Sequence, residues 1–166
     1  MTINTYLTII ILNLNGLNAI AKRYTIAESL RNQDSYICCL WEPNLRMKGT
    51  HRLEVMWMEK HISCKWKGKK SGVAMLISIE IDFKTNTMLR EIEGHYIMIK
   101  GTMQQECITL INIYSPHTVA QKYVRQILMN IDGKANRNTV RVRHFNTHWE
   151  WWIDIPKRIS TMWQQS

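Results

Sequence analysis

The chain has 166 residues, 45% apolar and 21% charged, which excludes an intrinsically disordered segment and leaves room for one domain with a real core but not for two comfortable ones. A formal net charge of +9 favours anionic partners such as nucleic acid, phosphate or acidic membrane, and is equally compatible with a merely soluble basic protein. No apolar run reaches the ~18 residues of a membrane span, and Cys38, Cys39, Cys64 and Cys107 contain no C-x-x-C pair, so neither a zinc knuckle nor a disulfide framework is indicated.

"TYLTIIILNLN" is expected to be a buried strand, by its β-branched enrichment and its stop at Asn15-Gly16. It lacks the basic leader and small-residue cleavage site of a signal peptide. "AIAKRYTIAESLRNQD" places Ala19, Ile20, Ile26, Ala27 and Leu30 at a spacing that suits a helix lying on a sheet. "YICCLWE" is a second buried strand, stopped by Pro43. "HRLEVMWMEKHISCKW" is ambiguous between a short helix and a strand, "KWKGKKSG" is a basic turn, and "GVAMLIS" is a strand. The stretch from Asp82 to Pro116 reads as three strands, with turns at Glu93-Gly94 and near Gln104-Gln105. "TVAQKYVRQILMNI" is helical, with Val119, Tyr123, Ile127 and Leu128 on one face, and "TVRVRHFN" closes the series as a strand. Helix and strand alternation around an antiparallel meander predicts a layered α/β sandwich.

Polar residues collect where these strands stop. They are Asn13 and Asn15, Glu42, Tyr114, and then His144 and Asn146. In layered α/β proteins, strand ends that gather at one edge build the active site. Singly, an Asn before Gly or a Tyr before a Ser-Pro turn is an ordinary loop residue. In this order they form a pattern.

The pattern resembles the endonuclease/exonuclease/phosphatase superfamily. Within it, the chain is similar to the apurinic-like endonuclease domain that opens the reverse-transcriptase protein of mammalian long interspersed retrotransposons. The resemblance runs from about Thr5 to Thr147 through "LNLNGLNAIAKR", "CCLWEPNL", "THRLEV", "KKSGVAMLIS", "EGHYIMIKG", "QQE", "TLINIYSP" and "HFNT". It implies an α/β fold, here an incomplete four-layer sandwich over residues 1–147, and hydrolysis of DNA phosphodiesters with magnesium, a hard cation that prefers oxygen ligands. By resemblance, Glu42 corresponds to the metal carboxylate and Asn13 to the asparagine of the site floor. Tyr114 corresponds to the tyrosine that orients the scissile phosphate, and Asn146 to the last residue of a G-D-F-N motif. Asn15 lies beside them. The parent element works in cytoplasm and nucleus. DNA is the implied partner, with no membrane and no small-molecule cofactor.

The chain departs from that family at several places. The G-D-F-N motif reads Arg143-His144-Phe145-Asn146, so an imidazole stands where an aspartate holds or activates the nucleophile. Trp41 replaces the usual Gln before Glu42, and Pro43 the usual Thr after it. Beyond Thr147 neither the later aspartates nor the closing Ser-Asp-His motif has a counterpart.

The tail, residues 148–166, has its own explanation. Trp has a single codon, so "THWEWWID" constrains the underlying DNA. Grouping those codons one nucleotide earlier yields Pro-Leu-Gly-Val-Val-Asp-Arg, and related domains continue after "FNT" with Pro-Leu and, shortly after, Asp-Arg. The tail therefore reads as an out-of-frame continuation, unrelated to the domain. It is expected to stay poorly packed, leaving a sheet with an unpaired edge.

Three functional expectations follow. The first is a decayed endonuclease without useful catalysis, because a lone Glu42 is a poor magnesium site. The second is a nucleic-acid-binding module in which Lys65, Lys67, Lys69, Lys70, Arg141 and Arg143 hold nucleic acid without cutting it, with Trp66 as a stacking surface. The third, supported by no motif, is a hydrolase that recruits Glu150 or Asp154.

Overall fold

Two nearly uninterrupted apolar strands set the centre of the molecule. The computed structural model describes residues 7–14, 19–32, 36–41, 60–63, 72–78, 80–91, 94–115, 121–145, 151–154 and 159–163. Strand β1 (Leu7–Asn13) leads through helix α1 (Ile20–Asn32) to β2 (Ile37–Trp41), which lies parallel to it. This is a β-α-β unit, the connection that parallel neighbours require. Every residue of β2 is buried, as expected for a strand covered on both faces.

The first sheet has the order β10-β1-β2-β4-β3, with β3 (Lys60–Ser63) and β4 (Val73–Ile77) antiparallel to each other and β4 antiparallel to β2. The second has the order β5-β6-β7-β8-β9. Its meander comprises β5 (Phe83–Arg90), β6 (Tyr96–Met103) and β7 (Glu106–Ser115). The turn into β6 carries Gly94 at φ 81°, and the turn into β7 carries Gln104 and Gln105 at φ 49° and 67°. The two turns fall where the sequence predicts them. Helix α2 (Gln121–Asp132) then crosses over to β8 (Thr139–Phe145), which runs parallel to β7.

Alternation sorts the side chains into three apolar layers. Between the sheets lie Ile9, Ile11, Ile37, Cys39, Val73 and Met75 from one side, and Ile97, Ile99, Leu110, Val140 and Val142 from the other. On the outer face of the first sheet, Ile10, Leu12, Cys38, Leu40 and Leu76 pack with Ile26 of α1. On the outer face of the second, Met98, Ile111 and Ile113 pack with Ile127 and Ile131 of α2. The layers run helix, sheet, sheet, helix, the α/β sandwich expected from the sequence. Of the predicted contact residues of α1, Ile26 is buried, Ala27 half-buried and Ala19 exposed. The side chains of Ile20, Leu30 and Tyr123, and the whole of Val119, lie outside the described residues.

The tail departs from expectation. Strand β9 (Trp151–Asp154) pairs antiparallel with β8, and β10 (Ile159–Trp163) pairs parallel with β1, so each sheet gains an edge strand from it. Backbone ladders do not depend on which side chains decorate them. A segment rich in Trp and Ile has high strand propensity and can occupy any open edge of matching length.

Candidate functional site

Four strands end at the same place. β1 and β2 are parallel, as are β7 and β8, so the carboxyl ends of each pair lie together. The last inward-facing residues of these strands are Asn13, Trp41, Tyr114 and His144. Asn13 continues the inward parity of Leu7, Ile9 and Ile11 and sits in register with Trp41. Tyr114 sits in register with His144. The main-chain N–H of Leu14 donates to the Trp41 carbonyl at 3.0 Å, and the Lys22 amine of α1 donates to the Leu14 carbonyl, fixing the end of β1.

Contacts between the sheets join the two pairs. The His144 ring stacks on Trp41, with centroids 4.7 Å apart and planes inclined by 17°. Its ring also stacks with Tyr114, at 5.6 Å and 18°. Trp41 Nε1 donates to Asn112 Oδ1 at 2.7 Å, and Asn112 Nδ2 donates to the carbonyls of Ala74 at 3.0 Å and Leu40 at 3.4 Å. Asn112 is fully buried, and its carboxamide is engaged at both ends. An apolar residue there would leave an indole N–H and two carbonyls in a dry interior without this partner.

A second polar cluster abuts Tyr114 from the side of β6. The Tyr114 main-chain N–H donates to the His95 carbonyl at 2.8 Å. Glu91 Oε2 accepts from the His95 main-chain N–H at 3.0 Å and lies 3.0 Å from its Nδ1. Both side chains are largely buried. One carboxylate thereby closes the turn between β5 and β6 and fixes the backbone beside Tyr114.

Of the residues predicted for the site, the structure brings Asn13, Tyr114 and His144 to one end of the sandwich. Glu42 adjoins Trp41 and Asn146 follows Phe145 in sequence, but both lie outside the described residues, as do Asn15, Lys65, Trp66, Lys67, Lys69 and Lys70. Arg143 is half-buried on the opposite face of β8 from His144, in register with Ile113 on the α2 side. Arg141 shares that face and forms an ion pair with Asp132 of α2 at 3.2 Å. Sequence reasoning missed Asn112 and His95. The signal for Asn112 was a lone amide inside "TLINIYSP", at a position whose neighbours are all apolar.

Among the described residues, the donors at this end do not suit magnesium. That ion takes six oxygen ligands at about 2.0–2.1 Å in near-octahedral geometry. Here the position expected to carry a carboxylate carries a buried imidazole stacked with two aromatic rings. Among the described residues no group of three His, Cys, Asp or Glu could hold a metal ion, and no helix is long and apolar enough to cross a membrane.

No protein-family model matches the chain. Solved structures do. TDP2 of D. rerio, complexed with a single-strand DNA product, is similar with a TM-score of 0.60 at 14% identity, over 81% of this chain and 58% of that one. The endonuclease domain of TRAS1, a telomere-specific non-LTR retrotransposon, is similar with a TM-score of 0.60 at 12% identity, over 86% and 61%. The AP endonuclease LMAP of Leishmania major is similar with a TM-score of 0.60 at 14% identity, over 82% and 54%. All three are members of the endonuclease/exonuclease/phosphatase superfamily. The chain has the fold of that superfamily and spans less than two-thirds of the length of each of these structures.

Proposed function

We propose that the chain is a catalytically inactive remnant of a retrotransposon-type, metal-dependent DNA endonuclease domain. Residues 1–147 supply the endonuclease-like part and residues 148–166 an out-of-frame continuation. The observation that carries this reading is the stack of Trp41, His144 and Tyr114 at the strand ends. Phosphodiester hydrolysis needs oxygen donors for the metal and a base for water, and general acid–base catalysis alone contributes typically ~10²–10⁴-fold. In this reading Asn13, Tyr114 and Asn146 are vestiges of the site, Glu42 is the remaining metal carboxylate, and His144 has replaced the aspartate.

The test is nicking of supercoiled plasmid by the purified chain with magnesium or manganese. No nicking above background is expected. EDTA-sensitive nicking that disappears in Glu42→Ala would overturn the reading. The nucleotide sequence after the Asn146 codon tests the frame of the tail independently.

A second reading is favoured by the net charge of +9 and by the DNA-bound state of the D. rerio TDP2 neighbour. In it the chain binds nucleic acid without cutting, through Lys67, Lys69, Lys70 and Arg143. Its signature is DNA binding that weakens steeply with salt, in the absence of nicking. Binding unchanged after those four residues are replaced by Gln would sink it.

A further inference from the structure

The residues that fill the strand-end floor are tied to one another. His144 stacks with both Trp41 and Tyr114, and all three side chains are buried. Trp41 is pinned by its 2.7 Å hydrogen bond to Asn112, and Asn112 is held in turn by the carbonyls of Ala74 and Leu40. The indole therefore has one place to be, over the imidazole. A carboxylate in place of that imidazole would lie against aromatic faces, which carry the negative side of the ring quadrupole. It would also be buried away from water. An aspartate at position 144 and an indole at position 41 are thus mutually unfavourable, whereas an imidazole and an indole stack.

We infer that Trp41 and His144 act as one unit that closes the strand-end floor to a divalent cation, so that only their joint replacement opens it. The inference rests on reading this end as a former metal centre. With the indole gone, an introduced carboxylate on β8 and the Asn13 carboxamide on β1 would offer hard oxygen donors at the same end of the sandwich. Water completes such a shell, since magnesium-type ions keep several of their waters.

The test uses the full chain in four forms: wild type, His144→Asp, Trp41→Gln and the double variant. Gln retains an amide N–H for Asn112 while removing the rings. Each is titrated with manganese(II) alone, free ion is counted by electron paramagnetic resonance, and folding is followed by near-ultraviolet circular dichroism. The double variant is expected to bind manganese saturably and at least about tenfold more tightly than the other three. His144→Asp binding as tightly as the double variant would remove Trp41 from the lock and overturn the proposal. So would wild type binding as tightly, or a folded double variant binding no better than wild type. If the double variant does not fold, His144→Phe decides. A ring in the stack is expected to keep the wild-type urea midpoint while His144→Asp loses it, and equal losses overturn the proposal. Plasmid nicking by wild type would overturn the underlying reading of the site, whatever the manganese titration shows. A failed titration without nicking overturns only the coupling of the two residues.

Discussion

The indole N–H of Trp41 crosses from one sheet to the Asn112 carboxamide of the other, a 2.7 Å bond between residues far apart in sequence. With the bonds from Asn112 Nδ2 to the carbonyls of Ala74 and Leu40, it ties the two sheets at the strand ends through one buried carboxamide. Replacing Asn112 by Leu keeps the volume roughly constant and removes partners from three buried groups. The expected loss is about 2–4 kcal/mol, seen as a lower urea midpoint with an unchanged slope. A Leu variant as stable as wild type would show that the tie contributes nothing net.

The hairpin between β6 and β7 turns through Gln104 and Gln105, both at positive φ. Two-residue turns of this kind prefer Asn-Gly, because the left-handed conformation costs other residues about 1–2 kcal/mol each. Gln104→Asn with Gln105→Gly is expected to raise stability by about 1 kcal/mol or more, measured by urea unfolding. A decrease would mean that contacts of the two glutamines outweigh the backbone strain.

The vicinal thiols give stability a pH dependence. Burial pushes the Cys39 thiol from its ordinary 9.0 up to about 12. Burial, and then the neighbouring Cys39, push Cys38 well above its ordinary value. The unfolded chain releases these protons near 9 while the folded chain retains them. Their contribution to stability is therefore intact below pH 9 and is lost as pH rises from there towards 12. The slope of stability against pH in that window is expected to flatten in Cys38→Ala/Cys39→Ala; the slope is compared rather than the level, because the cavities lower stability at every pH. In the native chain at pH 8, peptide mapping after brief alkylation should find exposed Cys107 modified and Cys38 and Cys39 untouched.

Deleting residues 148–166 removes β9 and β10 and opens the ladders of β8 and β1 to solvent. Net stabilities of domains are only about 5–15 kcal/mol, so losing an edge strand from each sheet is expected to abolish the cooperative transition or drive association through the bared edges. Calorimetry and size-exclusion chromatography of the shortened chain check this. A reversible transition within a few degrees of the full chain's would show that the two strands add no stability.

Much of the sandwich was legible because local signals agreed with one another. The unbroken apolar runs of β1 and β2, the punctuation at Gly94 and Gln104-Gln105, and the Ile127 face of α2 each reported a physical requirement. The site was legible only as a list of strand ends. Alternation told which residues face inward, but not that an indole on β2 would reach an imidazole on β8. That contact depends on how two sheets lie against each other, which no local pattern encodes. Arg141 and Arg143 were legible only as basic residues, without the face of β8 on which each would lie. Both are half-buried on the face of β8 towards α2, a placement that tertiary packing sets. The pairing of the tail was not legible for a related reason: its composition matched nothing downstream in the family, yet strand pairing asks only for extended backbone and an open edge.

The position of β1 between β2 and β10 pairs Leu7 with Ile159, residues far apart in sequence. During synthesis β1 is made well before β10, so one of its two neighbours is absent until residues 159–163 have emerged. In that interval a strand rich in isoleucine waits with one side open, because the pairing that covers it is long-range in sequence. Such long-range closure is slow, and the waiting edge is a template for neighbouring chains. Yield of this protein in a cell should therefore depend on what shields that strand in the interval, and co-expression with a holding chaperone should raise it.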